Sequence, residues 1–169
     1  MKFRKLSIFE YLLYIGIVAV GILLDQLTKQ LAVRYLMPTP EDPLYTVPII
    51  KDVLHLTYAE NTGAAFGMLA NNRWVFLIIS TVAIAAMIFY LFSGLSEGRL
   101  AGIALSMLIS GGIGNMIDRV ALGYVVDFID FRLINFAIFN GADSFVCVGA
   151  GLFILSLVLE VIREGKEKR

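Results

Sequence analysis

The chain has very little of the side-chain chemistry on which most metalloproteins and disulfide-bonded proteins depend. Among its 169 residues there is one cysteine, Cys147, and one histidine, His55. A single cysteine excludes an internal disulfide and a multi-cysteine metal site, and a single histidine leaves no partner for a histidine-based metal cluster. Charged residues make up only 17% of the chain. There is no basic patch with interleaved aromatic residues, so nucleic-acid binding is not expected.

Long apolar runs are the dominant feature of the sequence. Hydrophobic residues make up 59% of the chain, whereas soluble domains are roughly 45–50% apolar. A helix needs roughly 20 apolar residues to cross the hydrocarbon core of a bilayer. We therefore predict a single membrane domain over residues 1–169, with transmembrane spans at 8–24, 74–92, 100–117 and 142–162.

Basic residues near the span ends predict that both termini are cytoplasmic. The termini and the short 93–99 loop carry eight of the 14 basic residues, whereas the longer 25–73 and 118–141 loops carry six, spread more widely. These two loops are therefore predicted to be extracytoplasmic. The basic start of the first span also resembles a cleaved secretory signal. We interpret it as an uncleaved anchor, because the helical pattern continues through 25–29.

The first outward loop is long enough for structure of its own. Four prolines between 38 and 48 break any helix there. After them, the 53–58 segment alternates apolar and polar residues, which predicts a half-buried strand in a small sheet on the membrane. His55 falls on its polar face, and we interpret it as a surface residue rather than a ligand or base. Similarly, Cys147 lies inside the fourth span and is interpreted as apolar filler rather than a nucleophile.

The third span carries small residues at every fourth position, which predicts close packing against a neighbouring helix. These residues are Gly102, Ser106, Ser110 and Gly114. The glycines at 111, 112 and 114 do not follow a strand or open a helix, as a dinucleotide-binding fingerprint requires. They are therefore interpreted as packing residues.

Polar and ionisable residues lie at the outward ends of all four spans. Placing an ionisable group at membrane depth costs free energy, so such residues suggest a function. Most have a structural interpretation when taken singly. Asp25 and Lys29 form an i,i+4 pair, and Asp118 with Arg119 can cap and neutralise a helix end. The segment from Asn140 to Asp143 fits a capping-box variant, and Asp130 is interpreted as a solvated loop residue.

Asp127 resists a structural interpretation, because it lies in the apolar stretch 124–129, where a lone carboxylate would be poorly solvated. Asp143 is the only other acid at matching depth that is close in sequence. Two facing carboxylates can share one proton, so that one deprotonates water while the other protonates a carbonyl oxygen. This chemistry hydrolyses a peptide without a metal or a covalent nucleophile. The alternative is a small proton-coupled transporter or channel subunit that uses the same aspartates as a relay.

Five motifs, in order, carry a resemblance to a known family. The chain resembles the lipoprotein signal peptidases (type II signal peptidases) over nearly its whole length. The matching blocks are Asp25-Gln26-Leu27-Thr28-Lys29, Asn61-Thr62-Gly63-Ala64-Ala65-Phe66, Gly111-Gly112-Ile113-Gly114-Asn115-Met116-Ile117-Asp118-Arg119, Val125-Val126-Asp127-Phe128 and Phe139-Asn140-Gly141-Ala142-Asp143-Ser144.

The resemblance implies a membrane aspartic endopeptidase of the bacterial cytoplasmic (inner) membrane. Its substrates would be diacylglyceryl-modified prolipoproteins, cut on the amino side of the lipidated cysteine near the extracytoplasmic face. The implied fold is all-α: a four-transmembrane-helix bundle with a small extracytoplasmic β-sheet between helices 1 and 2. The resemblance also implies contact with membrane lipid and inhibition by globomycin. No cofactor, metal or obligate protein partner is expected.

By the same resemblance, each polar residue at the span ends receives an expected role. Asp127 and Asp143 are the expected catalytic pair. Residues expected to bind substrate or support that pair are Asn61, Asn115, Arg119 and Asn140. Residues expected to be structural or at the pocket rim are Asp25, Lys29 and Asp118.

Overall fold

The computed structural model describes residues 5–63, 73–94, 98–134 and 136–167. Its four α-helices are long and apolar enough to cross a membrane, and each contains one of the predicted spans, so the prediction of four apolar helices is confirmed. A short 3-10 helix, Arg132–Ile134, precedes the last of them. The elements in chain order are α1 (Ile8–Leu36), β1 (Val47–Ile50), β2 (Leu54–Asn61), α2 (Arg73–Phe92), α3 (Gly98–Ala121), β3 (Val125–Phe131) and α4 (Gly141–Glu167).

Helix α1 continues well past the apolar stretch that predicted it. Ser7 and Glu10 form a capping box at its start, which satisfies two of the free backbone N–H groups of the first turn. Its 29 residues give a length of about 43 Å at about 1.5 Å per residue. Pro38 follows the end of the helix closely and disfavours helical backbone before it. The hydrocarbon core of a bilayer is about 30 Å thick, so the helix is longer than one span requires, and its last turns pack against the sheet.

The small sheet has three antiparallel strands in the order β1-β2-β3. The expectation of a sheet formed between helices 1 and 2 is therefore incomplete, because β3 comes from the segment between α3 and α4. Strand β3 begins with three buried residues, Val125, Val126 and Asp127. A strand that is buried on both faces loses the apolar–polar alternation by which strands are recognised.

Helix α3 is the centre of the bundle and packs against the other three helices. The predicted ladder of small residues is buried on this helix. A side chain at Gly102 would collide with the Tyr14 ring, one at Gly111 with the backbone of Ala142, and one at Gly114 with the carboxylate of Asp25. These glycines thus let α1 and α4 approach α3 closely, as the spacing predicted.

Three single-residue interpretations are wrong. His55 is buried, with 7% of its surface exposed, and its Nδ1 lies 3.3 Å from the Thr46 hydroxyl. Asp130 is buried in β3 rather than solvated in a loop; its carboxylate accepts from Thr57 and from Arg132, each at 2.8 Å. Cys147 is exposed on α4 and does not fill the bundle interior.

Candidate active site

Asp127 is placed by β3 at the end of the bundle where the sheet meets the helices. It pairs with Ala59 of β2, and only 2% of its surface is exposed. Its Oδ2 accepts a hydrogen bond from Asn61 Nδ2 at 2.9 Å, and its Oδ1 accepts one from Asn140 Nδ2 at 2.6 Å. Both carboxylate oxygens therefore have an amide donor, which is what a buried carboxylate requires.

Asp143 is placed by the first turn of α4. Its backbone N–H donates to Asn140 Oδ1 at 2.9 Å, and its Oδ2 accepts from the Asn140 backbone N–H at 3.2 Å. This reciprocal pair is the capping-box variant that the sequence predicted, and it holds the carboxylate at the positive end of the helix dipole. Its other oxygen, Oδ1, accepts from Asn115 Nδ2 at 2.7 Å.

Asn140 joins the two aspartates and is completely buried. Its backbone and side chain bond Asp143, while its Nδ2 bonds Asp127 Oδ1 and, at 3.0 Å, Asn115 Oδ1. One residue in a fixed rotamer therefore sets the separation of both carboxylates. The structure brings together five of the predicted site residues in one hydrogen-bonded group: Asn61, Asn115, Asp127, Asn140 and Asp143.

The electrostatic environment favours a shared proton on this pair. The pKa of Asp127 is raised from its ordinary value of 3.8 to about 6, mainly by burial and also by the nearby charge of Asp143. The amides of Asn61 and Asn140 and the charge of Lys29 act in the opposite direction on this pKa. A carboxyl group that titrates near neutral pH is suited to general acid–base work.

Arg119 lies close to the pair but makes its hydrogen bonds elsewhere. Its Nη2 donates to the Gly63 carbonyl at 3.2 Å, and its guanidinium lies 4.7 Å from the centre of the Phe76 ring. The guanidinium interacts electrostatically with both Asp127 and Asp143. It therefore links α3, α2 and the end of β2 beside the carboxylates.

Lys29 lies at the centre of a buried ion cluster next to the aspartate pair, and 3% of its surface is exposed. Its ammonium is 2.9 Å from Asp25 Oδ2 and 3.0 Å from Asp118 Oδ2. It also donates to Asn115 Oδ1 at 2.9 Å. Three elements are tied together here, because Asp25 Oδ1 accepts from the backbone N–H of Ala142 at 2.8 Å.

Gln26 belongs to the same cluster, although sequence reasoning gave it no role. Its Nε2 donates to Asp118 Oδ1 at 3.0 Å and to the Gly114 carbonyl at 3.2 Å. Asp118 in turn accepts from the backbone N–H of Val126 at 3.1 Å, which fixes the start of β3. The only available signal was its place between Asp25 and Lys29 in the first motif.

Part of the second motif, Ala64-Ala65-Phe66, lies outside the described residues. Within residues 5–63, 73–94, 98–134 and 136–167, no group of three or more His, Cys, Asp or Glu side chains is arranged to hold a metal ion. The polar site itself consists of carboxylates, amides and two cations.

The fold and this group of buried carboxylates define a multi-pass membrane protein with a polar site at one end of its helix bundle. A family model described as signal peptidase (SPase) II matches residues 17–159. The chain belongs to the signal peptidase II family.

Individual relatives agree with the family match over most of the chain. The chain is 52% identical to a lipoprotein signal peptidase of Caldanaerobacter subterraneus subsp. tengcongensis, with 80% of this chain and 89% of that protein covered. It is 44% identical to one of Brevibacillus brevis, covering 92% and 99%. It is 38% identical to one of Bacillus subtilis, covering 93% and 100%.

Two solved structures share the fold, and both are described as bacterial membrane enzymes determined by the in meso method. The 2.3 Å structure superposes with a TM-score of 0.83 at 30% identity, covering 95% of this chain and 94% of that chain. The 1.9 Å structure has a TM-score of 0.78 at 31% identity, covering 93% and 97%.

Proposed function

We propose that Asp127 and Asp143 are the catalytic pair of an aspartic endopeptidase. As a member of the signal peptidase II family, the protein removes signal peptides from prolipoproteins. The observation that carries the catalytic proposal is Asn140, which bonds both carboxylates: its side-chain amide donates to that of Asp127, and its backbone N–H donates to that of Asp143. Two buried carboxylates that share a hydrogen-bonding partner in this way are suited to metal-free peptide hydrolysis.

The two aspartates take different roles in the reaction. Asp143 lies at the amino end of α4, where the helix dipole favours its carboxylate, and it acts as the base that removes a proton from water. In the active one-proton form of the pair, Asp127 holds the proton and gives it to the oxygen of the scissile carbonyl; its pKa, raised to about 6, means that this form becomes populated as the pH falls towards that value. The resulting hydroxide attacks the carbonyl carbon, and a tetrahedral gem-diol forms.

Collapse of the gem-diol completes the cycle. The proton now on Asp143 moves to the leaving nitrogen, and the C–N bond breaks. Asp127 takes back a proton from the gem-diol as the new carboxyl group forms, so the pair returns to its one-proton state. No covalent enzyme intermediate forms, and every proton transfer is made by one of the two carboxyl groups.

The scissile bond lies on the amino side of a cysteine that carries a diacylglyceryl group. A site at the end of a membrane bundle receives such a substrate from the lipid, and its acyl chains remain in the apolar environment. Arg119 and Asn61 lie beside the pair, where they can hold the backbone of the signal peptide as well as support the carboxylates. Globomycin would occupy the same place across the aspartates.

The distribution of basic residues supports an orientation with both termini in the cytoplasm. The site then lies near the extracytoplasmic face, since Asp127 and Asp143 are in or beside the loop between α3 and α4. The three-stranded sheet lies on the same side. A proton-relay role in a transporter is not favoured, because such acids are expected at mid-span, whereas Asp143 lies in the first turn of α4.

The direct test is incubation of the purified protein with a lipidated prolipoprotein, followed by mass measurement of both products. We expect cleavage on the amino side of the lipidated cysteine, giving a free signal peptide and a mature lipoprotein. Cleavage elsewhere, or activity only with an added divalent metal, would contradict the proposed reaction.

A further inference from the structure

We propose that Lys29 is a positioning residue that fixes the orientation of the Asn115 amide and so makes Asp143 the ionised member of the aspartate pair. The inference rests on the proposed function of that pair. It gives a reaction-specific task to a lysine whose i,i+4 contact with Asp25 has an ordinary structural explanation.

The first step is the count of donors and acceptors at the ammonium. A lysine ammonium has three N–H donors and no acceptor. In this site the three neighbours within bonding distance are oxygens of Asp25, Asp118 and Asn115, at 2.9, 3.0 and 2.9 Å. Every donor is used, and any group that faces the ammonium must present an oxygen.

The second step is the consequence for Asn115. Its Oδ1 faces the ammonium and also accepts from Asn140 Nδ2 at 3.0 Å, which leaves its Nδ2 to donate to Asp143 Oδ1 at 2.7 Å. Turning the amide over would set its N–H groups against two donors and its oxygen against a carboxylate. Three hydrogen bonds would be lost together, so Lys29 and Asn140 together determine which end of the amide meets Asp143.

The third step is the asymmetry that this creates between the aspartates. The amide that donates to Asp143 is polarised by the ammonium on its other side, and chains of hydrogen bonds strengthen in this way. Hydrogen bonds to a carboxylate favour its charged form. The donors to Asp127 are the amides of Asn61 and Asn140, neither of which receives a bond from an ammonium in the contacts of the described residues.

Charged groups also act on the aspartate pair. The charged groups that face the pair are Asp25 and Lys29 from α1, and Asp118 and Arg119 from α3. Within the ion cluster, the carboxylates of Asp25 and Asp118 surround the one ammonium. Lys29 and Arg119 still act on Asp143 as charges, so the variants must separate that action from the orientation of the amide.

Three variants separate orientation from charge: Lys29→Met, Asp25→Asn, and the double variant Asp25→Asn/Lys29→Met. Lys29→Met removes the ammonium and should lower kcat on the order of 10- to 100-fold, as is typical when a group that orients a reacting residue is lost. KM should be unchanged, since Lys29 is buried away from substrate. The acidic limb of the pH–rate profile should move to higher pH, because Asp143 ionises less readily.

Asp25→Asn is the matched control, since it perturbs the same cluster but keeps the bond between Lys29 and Asn115. We expect stability to fall, while kcat per folded molecule falls clearly less than in Lys29→Met. The acidic limb of its pH–rate profile should not move to higher pH, because a negative charge near Asp143 has been removed. The double variant keeps the net charge of the cluster, yet it should show the kcat loss of Lys29→Met.

A double variant with wild-type kcat would overturn the inference, because charge would then account for the effect of Lys29. Wild-type kcat in folded Lys29→Met would overturn it as well. If neither Lys29 variant folds, Asn115→Leu decides, because its side chain cannot donate to Asp143 and adds no charge beside that carboxylate. Loss of kcat in that folded variant supports the inference, and full activity overturns it. Activity in Asp127→Asn or Asp143→Asn would instead show that the catalytic proposal itself is wrong.

Discussion

The buried charge of Asp127 should destabilise the folded protein at neutral pH, and Asp127→Asn should remove that cost. Burial raises the pKa of this group from 3.8 to about 6, so between these values the folded state binds a proton that the unfolded state does not. Stability is therefore gained as pH falls from about 6 to about 4, and the full penalty is present above pH 6. At about 1.36 kcal/mol per pKa unit, the penalty is about 3 kcal/mol.

The Asp127→Asn variant also loses one hydrogen bond. Asp127 accepts from the side-chain amides of Asn61 and Asn140, whereas an asparagine side chain has a single oxygen with which to accept. That loss costs about 1 kcal/mol at every pH. We therefore expect Asp127→Asn to be more stable than the wild type by about 2 kcal/mol at pH 7.5 and less stable by about 0.5 kcal/mol at pH 4.

The measurement is reversible unfolding in mixed detergent micelles at several pH values between 4 and 8. Asp42→Asn is the matched control, because Asp42 is an exposed carboxylate of the loop between α1 and β1, and its variant should follow the wild type throughout. A difference in unfolding free energy between Asp127→Asn and wild type that stays constant across this range would refute the reasoning. Asp127 would then carry no penalty from desolvation.

Three further predictions concern catalysis, topology and substrate. Asp127→Asn and Asp143→Asn should each abolish cleavage in a folded protein. Because the pair acts as one unit, the double variant should be little worse than either single variant. Substantial turnover in a single variant that is free of contaminating wild-type enzyme would show that this residue is not part of the pair. In a Cys147→Ser background, a cysteine at position 45 should react with an impermeant thiol reagent outside intact cells, and one at position 96 should not; external labelling at 96 would overturn the topology. A precursor without the diacylglyceryl group should be cut far more slowly, because acyl burial contributes about 0.8 kcal/mol per CH₂; equal rates would count against a lipid-dependent substrate.

The helices could be predicted because their causes are local. A run of apolar residues long enough for the bilayer determines a span wherever its neighbours lie, and all four predicted spans fall inside observed helices. The small residues of α3 and the capping box of α4 are likewise patterns within one helix. The third strand could not be predicted by the same means, because its burial comes from β2 and from the end of α1.

The motifs by themselves determined which residues to suspect and to which family the chain belongs. Only the tertiary structure decided which of them meet. Asn61 reaches Asp127, and Lys29 reaches Asn115, across separations that no local periodicity describes. A hydrogen bond depends on the position and direction of two groups to within a few tenths of an ångström. Sequence spacing determines the face of one element, whereas the packing of α1, α3, α4 and the sheet determines what that face meets.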